Sequence, residues 1–154
     1  MMMAGNKSTS AGHTSASLRL PAGHRLGRQL LIDLFECPAA LLDNEEFIAA
    51  TMVSAARESG ASVVNSTFHR FLPCGVSGVV AIRESHLAIH TWPEYGYAAV
   101  DIFTCGDSID PEDAVPYIVT ALGAGDHSII SLKRGILPAI PDAVGVPATA
   151  RSGV

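Results

Sequence analysis

The stretch Arg83-Glu84-Ser85-His86-Leu87-Ala88-Ile89-His90-Thr91-Trp92-Pro93-Glu94-Tyr95-Gly96-Tyr97 decides how this chain is read. Leu87 and Ile89 alternate with His86, Ala88 and His90, the period-two pattern of a strand with one apolar and one polar face. Pro93 and that alternation argue against a helix. The His86-x-x-x-His90 spacing would suggest a zinc pair on a helix. On a strand the two imidazoles are too far apart, so no metal site is expected. A strand needs only its apolar face. It has no need of a hydroxyl, two imidazoles, carboxylates and an indole in one run.

Working outward, Gly78–Ile82 reads as a strand that meets Leu87–Trp92 at Glu84-Ser85. Ala61–Leu72, with Val63, Val64, Thr67, Phe68 and Phe71, is another, and Tyr95–Cys105 alternates enough to follow. Nearer the N-terminus, Gly27–Cys37 carries Leu30-Leu31-Ile32 and Leu34-Phe35 and reads as the first strand. Asp43 or Asn44 can cap a helix whose apolar face holds Ile48, Met52, Ala55 and Ala56, ended by Gly60. Asp110-Pro111-Glu112-Asp113 is a helix start with a cap, an early proline and acids at the positive dipole end. Pro116 should shift or kink its first turn. His127–Leu132 is the last strand. The order β-α-β-β-β-β-α-β predicts an α+β fold, a two-layer arrangement of a mainly antiparallel sheet with helices packed on one face.

The 154 residues suffice for one domain, expected over 26–137. Residues 1–25, rich in Ser, Thr, Gly and Ala, read as a disordered tail, and 138–154, with Pro138, Pro141 and Pro147, as another. A Ser-rich start that bears Arg and no acid also fits a transit peptide. The net charge of −5 hides an asymmetry, because residues 1–32 hold four basic residues and no acid. An acidic body argues against nucleic-acid binding and is compatible with a small cationic ligand. Three cysteines without paired spacing are no disulfide framework, so a reducing cytoplasm is the simplest compartment. No apolar run approaches the ~20 residues that span a membrane.

The quoted run, together with Ser66-Thr67-Phe68-His69-Arg70-Phe71, Gly75-Val76-Ser77-Gly78 and Asp101-Ile102-Phe103-Thr104-Cys105-Gly106, resembles the prokaryotic-type S-adenosylmethionine decarboxylases, which are pyruvoyl-dependent and self-cleaving. The resemblance extends from about Gly27 to Gly135. It implies cleavage between Glu84 and Ser85: Ser85 Oγ attacks the Glu84 carbonyl, the resulting ester is eliminated, and the remnant of Ser85 hydrolyses to a covalent pyruvoyl cofactor. That group would condense with a substrate amine as a Schiff base and act as the electron sink. The substrate implied is S-adenosylmethionine, decarboxylated to supply aminopropyl groups for spermidine. By the same resemblance His90 removes the α-proton during processing, Ser77 assists it, and Cys105 returns a proton to the decarboxylated carbon. Phe71, Trp92 and Glu94 are the expected pocket, with aromatic faces for adenine and sulfonium. A homodimer with sites at its interface is implied as well.

Two departures bear on substrate. Gly27-Arg28-Gln29 has no histidine after the basic residue, and Leu132-Lys133-Arg134-Gly135 lacks an acid before Arg-Gly. Ornithine or arginine, handled by the same chemistry, therefore remain alternatives. So does a non-catalytic regulatory subunit, whose expected mark is loss of the Glu-Ser pair, His or Cys; all are present.

Overall fold

A computed structural model describes residues 25–137. Both expected tails lie outside the described residues, Arg25 apart.

Strand β1 (Gly27–Phe35) leads through a short helix α1 (Ala39–Leu42) into the long helix α2 (Glu45–Glu58). Four strands follow, β2 (Val63–Arg70), β3 (Val76–Ile82), β4 (Ser85–Trp92) and β5 (Tyr97–Cys105). Helix α3 (Val115–Ala121) and strand β6 (Asp126–Arg134) complete the fold. The six strands form one sheet in the order β2-β3-β4-β5-β1-β6. Every neighbouring pair is antiparallel. The α+β architecture expected from the sequence is the one observed.

The helices form where the local chemistry directs. Asn44 caps α2 by accepting from the Phe47 amide at 3.0 Å, and Glu45 and Glu46 occupy the first turn. Its buried stripe is Ile48, Thr51, Met52, Ala55 and Ala56. At the second helix Asp110 accepts from the Glu112 amide, but Pro111–Ala114 is a 3-10 turn and the α-helix begins at Val115. Pro116 thus falls in the first turn of α3, where no intrahelical N–H is needed, and breaks nothing. The sequence reading contained no helix at Ala39–Leu42. No described helix is long and apolar enough to cross a membrane.

Leu30, Ile32, Leu34, Val76, Val80, Leu87, Ile89, Val100 and Ile102 pack under Leu42, Ile48, Met52 and Ile118 in one core. The alternate residues point the other way. Leu31, Val79, Ala81, Ala88, Ala99 and Phe103 on that second face all keep some accessible surface. His86, Ala88 and His90 share this open face, as the strand reading required.

Candidate active site

The expected site residues gather at opposite ends of β4.

The first group surrounds Glu84-Ser85. Arg83 and Glu84 make the tight turn between β3 and β4, whose last pair is Ile82 with Ser85. The turn is tied to the start of β2: the Arg83 amide donates to the Ser62 carbonyl at 2.9 Å, and the Ser62 amide donates to Glu84 Oε2 at 3.1 Å. The Glu84 carbonyl accepts from the Cys105 amide at 2.7 Å. A donor at that range suits an oxyanion forming on the same oxygen. Ser85 has φ 150°. A side chain makes such backbone costly, about 1–3 kcal/mol, and it persists only where the surroundings impose it. Ser85 Oγ lies 3.2 Å from His86 Nδ1. Cys105, twenty residues away in sequence, is exposed at the end of β5. Thr104 pairs with Ser85 across the ladder, is 1% exposed, and its hydroxyl has no partner among the described residues.

The second group lies at the far end of β4. Ser77 and His90 are direct cross-strand partners, with Ser77 Oγ 2.8 Å from His90 Nδ1. Trp92 follows on the same face, and its ring centroid is 6.3 Å from that of His90 and 5.4 Å from that of Tyr97. Phe71, 48% exposed, meets the edge of His69. That exposure removes it from the core. The Cys74 thiol donates to Glu94 Oε2 at 3.3 Å, and the carboxylate pushes the thiol pKa up. Cys74 therefore touches an expected substrate residue.

The β2–β3 loop that carries Phe71 and Cys74 hangs on Asp43. Arg70 Nε and Nη2 donate to the two Asp43 oxygens at 3.0 and 2.5 Å, and the Gly75 amide adds a third bond at 2.9 Å. The Arg70 hydrogen bonds, then the Gly75 amide, hold the Asp43 carboxyl below its usual range. Gly75 has φ 101°, and a Cβ there would stand 2.8 Å from the Thr91 carbonyl, so the turn needs glycine. Buried Thr91 locks the same corner, accepting from the Val76 amide and donating to the Leu42 carbonyl, both at 2.7 Å.

Gln29, one of the two departures, meets Arg134, the residue after the other at Lys133. Arg134 donates to Gln29 Oε1 and covers the Phe103 ring at 5.9 Å. Four residues further along β1, Tyr97 donates to Asp33 at 2.5 Å, and that bond raises the phenol pKa to about 12.

Burial raises the Cys37 thiol, as its core position requires. Among the described residues, no three or more His, Cys, Asp or Glu side chains gather as a metal site.

The separation of the groups follows from strand geometry. His90 is five residues beyond Ser85 and Trp92 seven, so at about 3.3 Å per residue they stand roughly 16 and 23 Å from it. Sequence reasoning missed His86 at the reacting hydroxyl. Strict alternation puts neighbouring side chains on opposite faces, whereas at this turn, with Ser85 at φ 150°, the two stand 3.2 Å apart.

The fold and site thus define an α+β protein, an antiparallel sheet covered on one face by helices, with a serine turn at φ 150° beside an exposed cysteine. The sequence profile of the family described as S-adenosylmethionine decarboxylase matches residues 28–135. The chain belongs to that family. It is 52% identical over 123 residues to a protein of Acidithiobacillus ferrooxidans named S-adenosylmethionine decarboxylase proenzyme, covering 80% of this chain and 90% of that one. A protein of the same name from Thermotoga maritima is 52% identical over 122 residues, 79% of this chain and 91% of the relative. The crystal structure of the adenosylmethionine decarboxylase of Aquifex aeolicus superposes with a TM-score of 0.70 at 35% identity, covering 77% of this chain and 98% of that one.

Proposed function

We propose that this chain decarboxylates S-adenosylmethionine, supplying aminopropyl groups for spermidine synthesis, with a pyruvoyl group that it makes by breaking its own Glu84–Ser85 bond. The observation that carries the reading is the state of that bond. Its carbonyl is held by an amide donor, its serine nitrogen belongs to a residue at φ 150°, and the serine hydroxyl is next to an imidazole. Residue 85 is thus fitted to become the prosthetic group, because breaking the peptide bond releases the strain that the turn imposes.

Attack of Ser85 Oγ on the Glu84 carbonyl gives an ester. Removal of the α-proton of residue 85 then expels the Glu84 carboxylate, and water hydrolyses the remaining dehydroalanine with release of ammonia. The pyruvoyl group supplies a carbonyl that captures the substrate amine and draws electrons from the breaking carboxyl bond. Cys105, beside residue 85, delivers the proton to the substrate α-carbon. A free thiol there suits a reducing cytoplasm.

The α-proton falls to His90, oriented by Ser77. Across roughly 16 Å of strand that imidazole cannot serve the Ser85 of its own chain. Two copies packed open face to open face and running oppositely would bring the Ser77–His90 end of one over the Glu84–Ser85 end of the other. We therefore assign a homodimer with shared sites. Phe71, Trp92 and Glu94 then reach the substrate together with His90, the aromatic rings against adenine and sulfonium, the carboxylate against a cationic group.

Complementation tests this arrangement. Ser85→Ala lacks the nucleophile and His90→Ala lacks the base, so neither chain cleaves to a pyruvoyl form alone. Co-expressed with distinguishable tags, the His90→Ala chain should be cleaved by its partner. Its fragment from position 85 should resist N-terminal sequencing. An intact His90→Ala chain in isolated heterodimers would refute action across the interface. A wild-type chain that never cleaves would refute self-processing itself.

A further inference from the structure

We propose, on the footing that the chain self-processes at Glu84–Ser85, that His86 is the base that starts the cleavage, and that it acts within its own chain. Two proton transfers are needed at different atoms. One takes the proton from Ser85 Oγ so that it can attack, and the other takes the proton from the α-carbon of residue 85. His90 is too distant in its own chain for the first, while His86 Nδ1 already stands 3.2 Å from the attacking oxygen.

The local structure is built for that contact. Neighbouring strand residues normally face opposite ways, yet at this turn, where Ser85 takes φ 150°, its hydroxyl stands 3.2 Å from the next side chain. The imidazole is flanked by its cross-strand partners, the small Ala81 on β3 and Phe103 on β5, whose ring centroid is 6.0 Å away. The Cys105 N–H holds the carbonyl under attack at 2.7 Å.

The step balances without any added reagent. With its own proton on Nε2, His86 accepts the Oγ proton at Nδ1 as the Oγ–carbon bond forms. The carbonyl electron pair moves onto the oxygen facing the Cys105 amide. The tetrahedral centre collapses, the bond to the Ser85 nitrogen breaks, and that nitrogen takes the proton back from His86. The product is an ester with a free amine, and His86 is neutral again.

The test uses the full-length chain carrying His90→Ala, which should stop at the ester, detected by hydroxylamine cleavage. Adding His86→Ala should slow ester formation by ~10²–10⁴-fold, the usual worth of a positioned base. Free imidazole should restore part of the rate. His86→Asn, which keeps a polar side chain without the basicity, should be as slow and guards against a folding defect in the alanine variant. Ester formation in the doubly substituted chains at the rate of His90→Ala alone would overturn the assignment. Absence of ester from His90→Ala itself, with wild type also uncleaved, would instead refute self-processing.

Discussion

Strain at Ser85 can be measured by removing the hydroxyl in two ways. Ser85→Ala and Ser85→Gly both lack the nucleophile, so both should remain uncleaved and be comparable as intact chains. Alanine keeps the Cβ that makes φ 150° costly, and glycine does not. Relief of that conformation is worth about 1–3 kcal/mol. Glycine gives back roughly 0.4–1 kcal/mol through the greater freedom of its unfolded chain. Glycine should therefore be the more stable variant by about 1–2 kcal/mol, or roughly 4–8 °C in Tm for a domain near this size. Urea unfolding, followed by the fluorescence of the one tryptophan, Trp92 on β4, reads this directly. Equal protein concentrations are required, because association stabilises the folded state. Ordinary serine geometry predicts the opposite order, with alanine ahead, since the interior of a strand penalises glycine. An alanine variant as stable as the glycine variant would show that the turn stores no strain, and peptide-bond cleavage would lose that driving force.

Cys105→Ala should still cleave, because its backbone amide on Glu84 survives, yet lose ~10²–10⁴-fold in turnover with loss of the proton donor; cleavage and kcat both at wild-type levels would make Cys105 a bystander. Asp43 gives a pH prediction. Its folded pKa is lowered, so its tether to Arg70 and Gly75 is fully present above the ordinary carboxyl value near 3.8 and is lost as pH falls through the lower folded value. Protection of the Gly75 amide from hydrogen exchange, taken relative to the free-amide rate at each pH, should hold from neutrality to about pH 4 and be lost as pH falls through the lowered folded value. Asp43→Asn should abolish that acid step and raise KM through the Phe71 loop.

Much of the fold was legible in the sequence because its signals are local. Leu87 and Ile89 against His86 and His90 need only a period of two to define a strand and its faces. Asn44 followed by Glu45 and Glu46 needs only the unmet amides of a helix start. Glu84, Ser85, His90 and Cys105 were singled out as candidate chemical residues through their order within four matching blocks. Helix α1 was not legible, since four residues carry no period to detect.

What only the tertiary structure decided is which of these residues meet. Pairing between β4 and β5 puts Cys105 on the Glu84 carbonyl, and a register shifted by one residue would turn it to the other face. Pairing between β3 and β4 joins Ser77 to His90 and at the same time carries both away from Ser85. Such contacts depend on strand order, register and one φ angle, and each is set by the burial of the whole sheet face against the helices. No residue type in the run from Arg83 to Tyr97 encodes that its histidines lie toward different ends of the same strand, His86 by Ser85 and His90 by Ser77; the extended backbone between them does.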